Sequence, residues 1–379
     1  MLLRLVCQAI LSMLILLAFF TKVYAAEPPK APVYTLKIHT WEGYADADMV
    51  EAFTQAMLRD KGLHVTLDIH YVSDPHDYYA VLRLGHTDLI SPAHNLIKDE
   101  RFQYISKGIL LPINLENVPN YQKLIPALRD ADYARDKGKV YAVPFAHGAY
   151  ALIYNQNEVD ATPESWQVLW NPKYAKRYVI SADYYEVNYF ITVLSMGHKP
   201  SMFTDVDHFR NKPFIQRLRE LRLGSREMWV GVDTEDNVKG SAMATSWGFS
   251  LAKLNNQGVK WKRAMPKEGV TGWVDNTALS RTLADKPILK MIAESWINFL
   301  ISPKVQHEVV IQRLSSDPVS LGVIPRLSKG EIATHHLDNL DYFKNNRYLW
   351  PTLSKSQRDM IKSLWERAGY EEEYHPISN

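Results

Sequence analysis

The chain has almost no cysteine. Its 379 residues hold one, Cys7, so disulfide staples and thiolate chemistry are excluded from everything after the first few residues. It also lacks an excess of charge. Its 44 Lys and Arg, less Arg4 and Lys22 in the N-terminal segment, leave 42 against 42 Asp and Glu. A near-neutral chain has no basic surplus to track phosphates, so nucleic acid is not an expected partner. The usual catalytic signatures are missing as well. There is no G-x-G-x-x-G, P-loop, H-E-x-x-H or G-x-S-x-G. Ser250-x-x-Lys253 has the spacing of some acyl-enzymes but no accompanying Lys-Thr-Gly. His64, His70 and His76, and the adjacent His335 and His336, lack metal-ligand spacing. Neither enzyme activity nor a metal or cofactor is expected.

After the N-terminus, no apolar run is long enough to span a bilayer. At the N-terminus itself, Arg4 is a short positive region, Leu11 to Phe20 is apolar, and Val23-Tyr24-Ala25 is a small-residue cleavage signal. Residues 1–25 therefore read as a cleaved signal peptide, and the mature chain as a soluble protein exported to a periplasm. Cys7 precedes the apolar run and is not placed to accept a lipid.

What is present is a regular alternation of strand and helix patterns. Val33 to Ile38 and His64 to Tyr71 alternate as strands. Asp48 to Leu58, closed by Lys61-Gly62, and Asp77 to Leu84, closed by Gly85, read as helices. Asp88 to Ile90 is a short buried strand ahead of Pro92. This order predicts an α/β lobe with a mainly parallel sheet, whose ligands bind beyond the carboxyl ends of the strands. A second series starts near Lys139, with strands at Val140 to Pro144, Ala151 to Tyr154, Tyr178 to Ser181 and Ala242 to Ser246. Its helices are Trp166 to Trp170, Asp183 to Met196, Lys290 to Ile301 and Ser354 to Arg367. About 350 residues exceed one simple core, so two lobes are expected.

Four constellations stand out. Trp273-x-Asp275, if in a strand, puts an aromatic and a carboxylate on one face. Such a wall suits an organic cation, which a ring face attracts and a carboxylate pairs with. From these two residues alone, a core Trp beside a surface Asp is the plainer reading. Trp41-Glu42-Gly43-Tyr44 follows the first strand, and Trp247 ends an apolar one. Loop or core aromatics would read the same way. Asp183-x-x-Glu186 opens a helix, where capping-box geometry and ligand binding are both served.

Together these pieces resemble the periplasmic polyamine-binding proteins of the spermidine/putrescine type, collinearly from about Tyr34 to Arg367. Trp41-Glu42-Gly43-Tyr44 is similar to that family's N-W-x-E-Y, Asp88-Leu89-Ile90-Ser91-Pro92 to its D-L-V-x-P, and Tyr141 to Pro144 to its Y-x-x-P. The stretch from Ser165-Trp166 to Tyr174 resembles S-W-x-x-L-W-x-P-x-Y, Pro266 to Asp275 resembles P-K-E-G-x-x-x-W-x-D, and Ile297 to Leu300 resembles I-N-F-L. The resemblance implies a two-lobed α/β fold of the type II periplasmic binding protein class. It implies a ligand cleft formed by Trp41, Tyr44, Asp183, Glu186, Trp247, Trp273 and Asp275. The family's first-loop Glu is Gly43 here, with Glu42 just before it; its Ser and Tyr after the Pro are Ala93 and Asn95. A late Gln is replaced at or near Leu349. Glu42 or His94 is expected to serve that rewritten end.

The implied lobes are 33–144 with 277–320, and 145–276 with 321–379, hinged at Lys139–Gly148 and Trp273–Leu279. The implied activity is capture of a polyamine, norspermidine or spermidine in class, by a monomer that reports to a membrane receptor controlling cyclic di-GMP and biofilm. The alternative is the binding component of a polyamine ABC importer, handing its ligand to an inner-membrane permease.

Overall fold

The computed structural model describes residues 32–74, 76–342 and 347–370. The expected signal peptide, with Cys7, lies outside them. The first half is the anticipated alternation. Strand β1 (Val33–Thr40) leads to helix α1 (Ala47–Lys61), β2 (His64–Tyr71), α2 (Asp77–Leu84) and β3 (Leu89–Ile90). Strand β1 runs parallel to both β2 and β3. Helix α1 buries Met49, Phe53 and Met57, at i, i+4 and i+8, and stops at Gly62 in the left-handed conformation.

The sequence suggests two strands between 140 and 154, but the structure has one. Strand β4 (Ala142–Asn155) is continuous through Gly148 and buried for all but its last residue. A strand covered on both faces shows no alternation, so the His147-Gly148 interruption looks like a break without being one. Beyond it come β5 (Tyr178–Ser181), α3 (Tyr185–Ser195), α4 (Lys212–Gly224), β6 (Glu227–Trp229), β7 (Met243–Ser246) and α5 (Phe249–Asn256). The chain returns through β8 (Val270–Ser280) and α6 (Pro287–Leu300), then β9 (Arg347–Leu349) and α7 (Lys355–Arg367).

The strand order is β2-β1-β3-β8-β4-β7-β5-β6. The long antiparallel pair β8 and β4 forms the centre, with a parallel half on either side. The carboxyl ends of β1, β3, β5, β6 and β7 lead into the loops that carry Trp41, Pro92, Asp183, Val230 and Trp247. Helix α7 packs on α3 and α4. The segment Leu321–Arg326 packs beside Pro119–Lys123 and Gln306–Ile311. Among the described residues no helix is long and apolar enough to cross a membrane.

Candidate functional site

Asp275 sits on the central strand β8, where the pairing with β4 slips by one residue between Asp275 and Asn276. Such a bulge re-aims side chains and frees backbone groups. The loop after β3 takes them up: Ala93 bridges to Asp275, and the Asn276 N–H donates to the Pro92 carbonyl at 3.0 Å. The Tyr44 hydroxyl donates to Asp275 Oδ2 at 2.7 Å. No Lys, Arg or His among the described residues forms an ion pair with this carboxylate. Burial without a cation pushes the Asp275 carboxyl up to about 7, and the Tyr44 hydrogen bond offsets only part of that.

Aromatic rings pack in pairs among the expected residues. Tyr44 is held edge-on against Phe145 at 4.7 Å, and Trp41 against Tyr78 at 5.6 Å. Trp273, two residues before Asp275, stacks at 6.5 Å on Phe249. Trp247 meets Tyr150 at 4.6 Å, Tyr184 at 4.9 Å and Trp350 at 5.1 Å, all in edge-to-face geometry. Its indole N–H donates to the Gly231 carbonyl.

Trp273 can lie where it does only because its cross-strand neighbour is Gly148. A Cβ at 148 would fall 2.7 Å from Trp273 Cζ2 and 2.8 Å from Cε2. Gly148→Ala is therefore expected to displace the indole and cost about 1–3 kcal/mol, read as a lower urea midpoint. An unchanged midpoint would show that the ring is not fixed against this strand.

Gly43 has an equally local cause. Its φ is +84°, and a Cβ there would lie 2.9 Å from Leu314. A side chain there would be strained and would crowd Leu314.

The remaining expected residues divide. Glu42 is exposed and bonds to no described residue. Asp183 is exposed too, and does not cap the helix; Tyr184 is the N-cap of α3. The expected capping box with Glu186 is absent because Asp183 is drawn away. Its Oδ1 accepts from the Ser181 hydroxyl at 2.9 Å and its Oδ2 from the Gly231 N–H at 2.8 Å. Glu186 lies in the first turn of α3, and burial raises its carboxyl while Arg358 and Arg101 pull it back. His94 does not reach the cleft. It is buried; Nδ1 accepts from the Val274 N–H at 3.2 Å and Nε2 donates to the Trp350 carbonyl at 3.0 Å. Burial lowers it to about 4, so it is a neutral brace between two chain segments. The Ser250-x-x-Lys253 spacing is also structural. Ser250 donates to Asp233, and Lys253 lies 3.6 Å from Glu235.

Two contributors escape a reading of the sequence. Asp233 is fully buried and accepts from the Ser246 hydroxyl, the Trp247 N–H and both the N–H and hydroxyl of Ser250. It thereby fixes Trp247 and the start of α5, and nothing in its local sequence marks it. Trp350 lies one residue past the expected substitution at Leu349, which pairs with Gly272.

The profile of a family described as bacterial extracellular solute-binding protein matches residues 86–347. The spermidine/putrescine-binding periplasmic protein 1 of Haemophilus influenzae is 23% identical over 287 residues, 73% of each chain. Among solved structures, a putative spermidine/putrescine ABC transporter protein of Listeria monocytogenes superposes with a TM-score of 0.69 at 18% identity. That match covers 89% of this chain and 99% of that one. The spermidine/putrescine ABC transporter substrate-binding protein of Streptococcus pneumoniae gives 0.71 at 15% identity, covering 88% and 98%.

Proposed function

This chain belongs to the bacterial extracellular solute-binding protein family, with the two-lobed type II periplasmic binding fold, and on that premise we propose that it captures a polyamine. The observation that carries the reading is Asp275, a carboxylate walled by aromatic rings and lacking any cation of its own among the described residues. A ligand ammonium is the natural partner for it. The pair would form out of bulk water, where charge-assisted hydrogen bonds are strongest. Trp41, Tyr44 and Trp273 would cover the attached methylenes and draw the charge toward their faces. The spermidine/putrescine proteins named above are similar over most of the chain and favour the same ligand class. Two of them are transporter components. That supports delivery to an ABC permease over signalling to a receptor that controls cyclic di-GMP and biofilm. Norspermidine remains one of the amines to test. The working compartment would be the periplasm, reached through cleavage after Ala25.

Capture would follow from the central pair β4 and β8, about which two halves can close over a ligand. A closed state stabilised by ligand contacts to both halves is what a permease would recognise.

The pH dependence tests the assignment. An ammonium pairs with the ionised carboxyl, and the free site ionises around pH 7. Binding must therefore release a proton at low pH. The expected result, by calorimetry with putrescine, spermidine and norspermidine, is affinity that climbs up to about tenfold per pH unit from pH 5.5 to 7 and then levels. Affinity that is flat across this window, or that falls with pH, overturns the role of Asp275.

A further inference from the structure

Helix α5 starts without a side-chain cap of its own. Its N-cap is Gly248, at φ +105°, which has no side chain to offer the free N–H groups of the first turn. Asp233, in the loop after β6, supplies what the glycine lacks. Its Oδ2 accepts from the Ser250 N–H at 3.2 Å and from the Ser250 and Ser246 hydroxyls at 2.6 Å each. Its Oδ1 accepts from the Trp247 N–H at 2.7 Å. The Ser246 oxygen accepts in turn from the Gly248 N–H at 2.7 Å. The turn from β7 into α5 is thus wound around one carboxylate, and a negative group at a helix start also suits the helix dipole.

The residues held in this way are aromatic ones. Trp247 is gripped twice by the same loop, at its backbone N–H by Asp233 and at its indole N–H by the Gly231 carbonyl at 3.3 Å. Gly231 and Asp233 face inward, while Val230 and Val232 are 71% and 50% exposed. Phe249 lies between the capped residues Gly248 and Ser250, and stacks on Trp273 at 6.5 Å. Asp233 itself is 1% exposed, and both its oxygens are occupied, so it is not placed to touch a ligand.

We infer that Asp233 is a positioning residue for amine capture. It sets the place of Trp247 and, through the start of α5 and Phe249, that of Trp273. A site whose supporting groups are loosened loses affinity even when every contact residue is kept. This inference rests on the amine reading of the preceding subsection, in which Trp273 covers the ligand.

Asp233→Asn keeps the side-chain shape but puts an N–H group where an acceptor is needed. Calorimetry on the mature protein at pH 8, with putrescine and spermidine, should show affinity lowered about tenfold or more. Glu294→Gln is the comparison. Glu294 lies on α6, is 2% exposed, and accepts from the Asn114 N–H at 2.8 Å and the Asn117 side-chain amide at 2.7 Å. Its loss should lower the unfolding temperature and leave affinity within about threefold of the parent. Affinity within about threefold in a folded Asp233→Asn overturns the inference. So does an equal loss in Glu294→Gln, which would mark a general loosening; either result leaves the amine reading intact. A second variant decides should Asp233→Asn not fold. Ser246→Ala combined with Ser250→Ala strips both hydroxyl donors from the carboxylate and should weaken binding more than about threefold. Parental affinity in that variant also overturns the inference. If the parent protein gives no binding heat with either amine, the amine reading itself fails and the inference with it.

Discussion

Asp275→Asn is expected to abolish amine capture while making the protein harder to unfold at pH 8. The loss of binding follows from the site's electrostatics. Removing one member of a buried, hydrogen-bonded charge pair costs about 2–5 kcal/mol, roughly 30- to 5,000-fold in Kd. The substitution keeps the side-chain shape and the acceptor for the Tyr44 hydroxyl, so the loss isolates the charge. Calorimetry with putrescine and spermidine reads it directly, and affinity retained within threefold would refute the pairing.

The gain in stability comes from the same charge. The Asp275 carboxyl moves from an ordinary 3.8 to about 7 on folding. Between those values the folded state holds a proton that the unfolded chain has released, so stability falls as pH rises through this window. The full penalty is present above pH 7. Three units correspond to about 4 kcal/mol as an upper figure, from which the new amide's unpaired N–H groups subtract. The net gain expected for Asp275→Asn is about 1–3 kcal/mol at pH 8, shrinking toward pH 5, where the native acid is protonated in the fold. Urea unfolding of both proteins at the two pH values checks this. A variant less stable than its parent at pH 8 would mean that the carboxylate is solvated. Desolvated and unpaired, the same group is a liability to the empty protein and would be an asset to the liganded one, as expected where a site is held ready for a cation.

Where the pattern was periodic, the sequence was a reliable guide. Strand β2 falls at His64–Tyr71 as expected, and helix α1 ends at Gly62 as its Lys-Gly signal implies. Trp273 and Asp275 both lie on β8, so the strand on which their alternation depends is present. What could not be read was supplied from far along the chain. Asp183 is taken by a backbone N–H 48 residues away. His94 is fixed by a carbonyl 256 residues away. A histidine next to a ligand loop looks available until the segment that buries it is known. Strand β4 was split in two for a different reason, since burial on both faces removes the alternation that reveals a strand.

Asp99→Ala is expected to cost far more stability than Arg358→Met, although the two residues form one ion pair. Asp99 lies after the short helix His94–Ile97, in the half built on β1, β2 and β3. Arg358 lies on α7, which packs on α3 and α4 in the other half. Their side chains are 1% and 10% exposed. Asp99 receives Arg358 at 2.9 and 3.3 Å, the Arg101 guanidinium at 2.9 Å and the Arg101 backbone N–H at 2.8 Å. Removing the carboxylate strands one buried guanidinium and releases a second that can turn to water. Leaving a buried charge uncompensated costs about 3–5 kcal/mol. Arg358→Met leaves Asp99 with Arg101 and its backbone donor, and replaces the lost charge with apolar bulk. That loss should be about 1–2 kcal/mol, since exchanging a buried ion for packed hydrocarbon returns much of the desolvation cost. Urea midpoints of the two variants test the asymmetry, and equal losses would show that Arg101 does not share the charge. The pair joins the two halves, so Arg358→Met should also expand the protein in solution scattering.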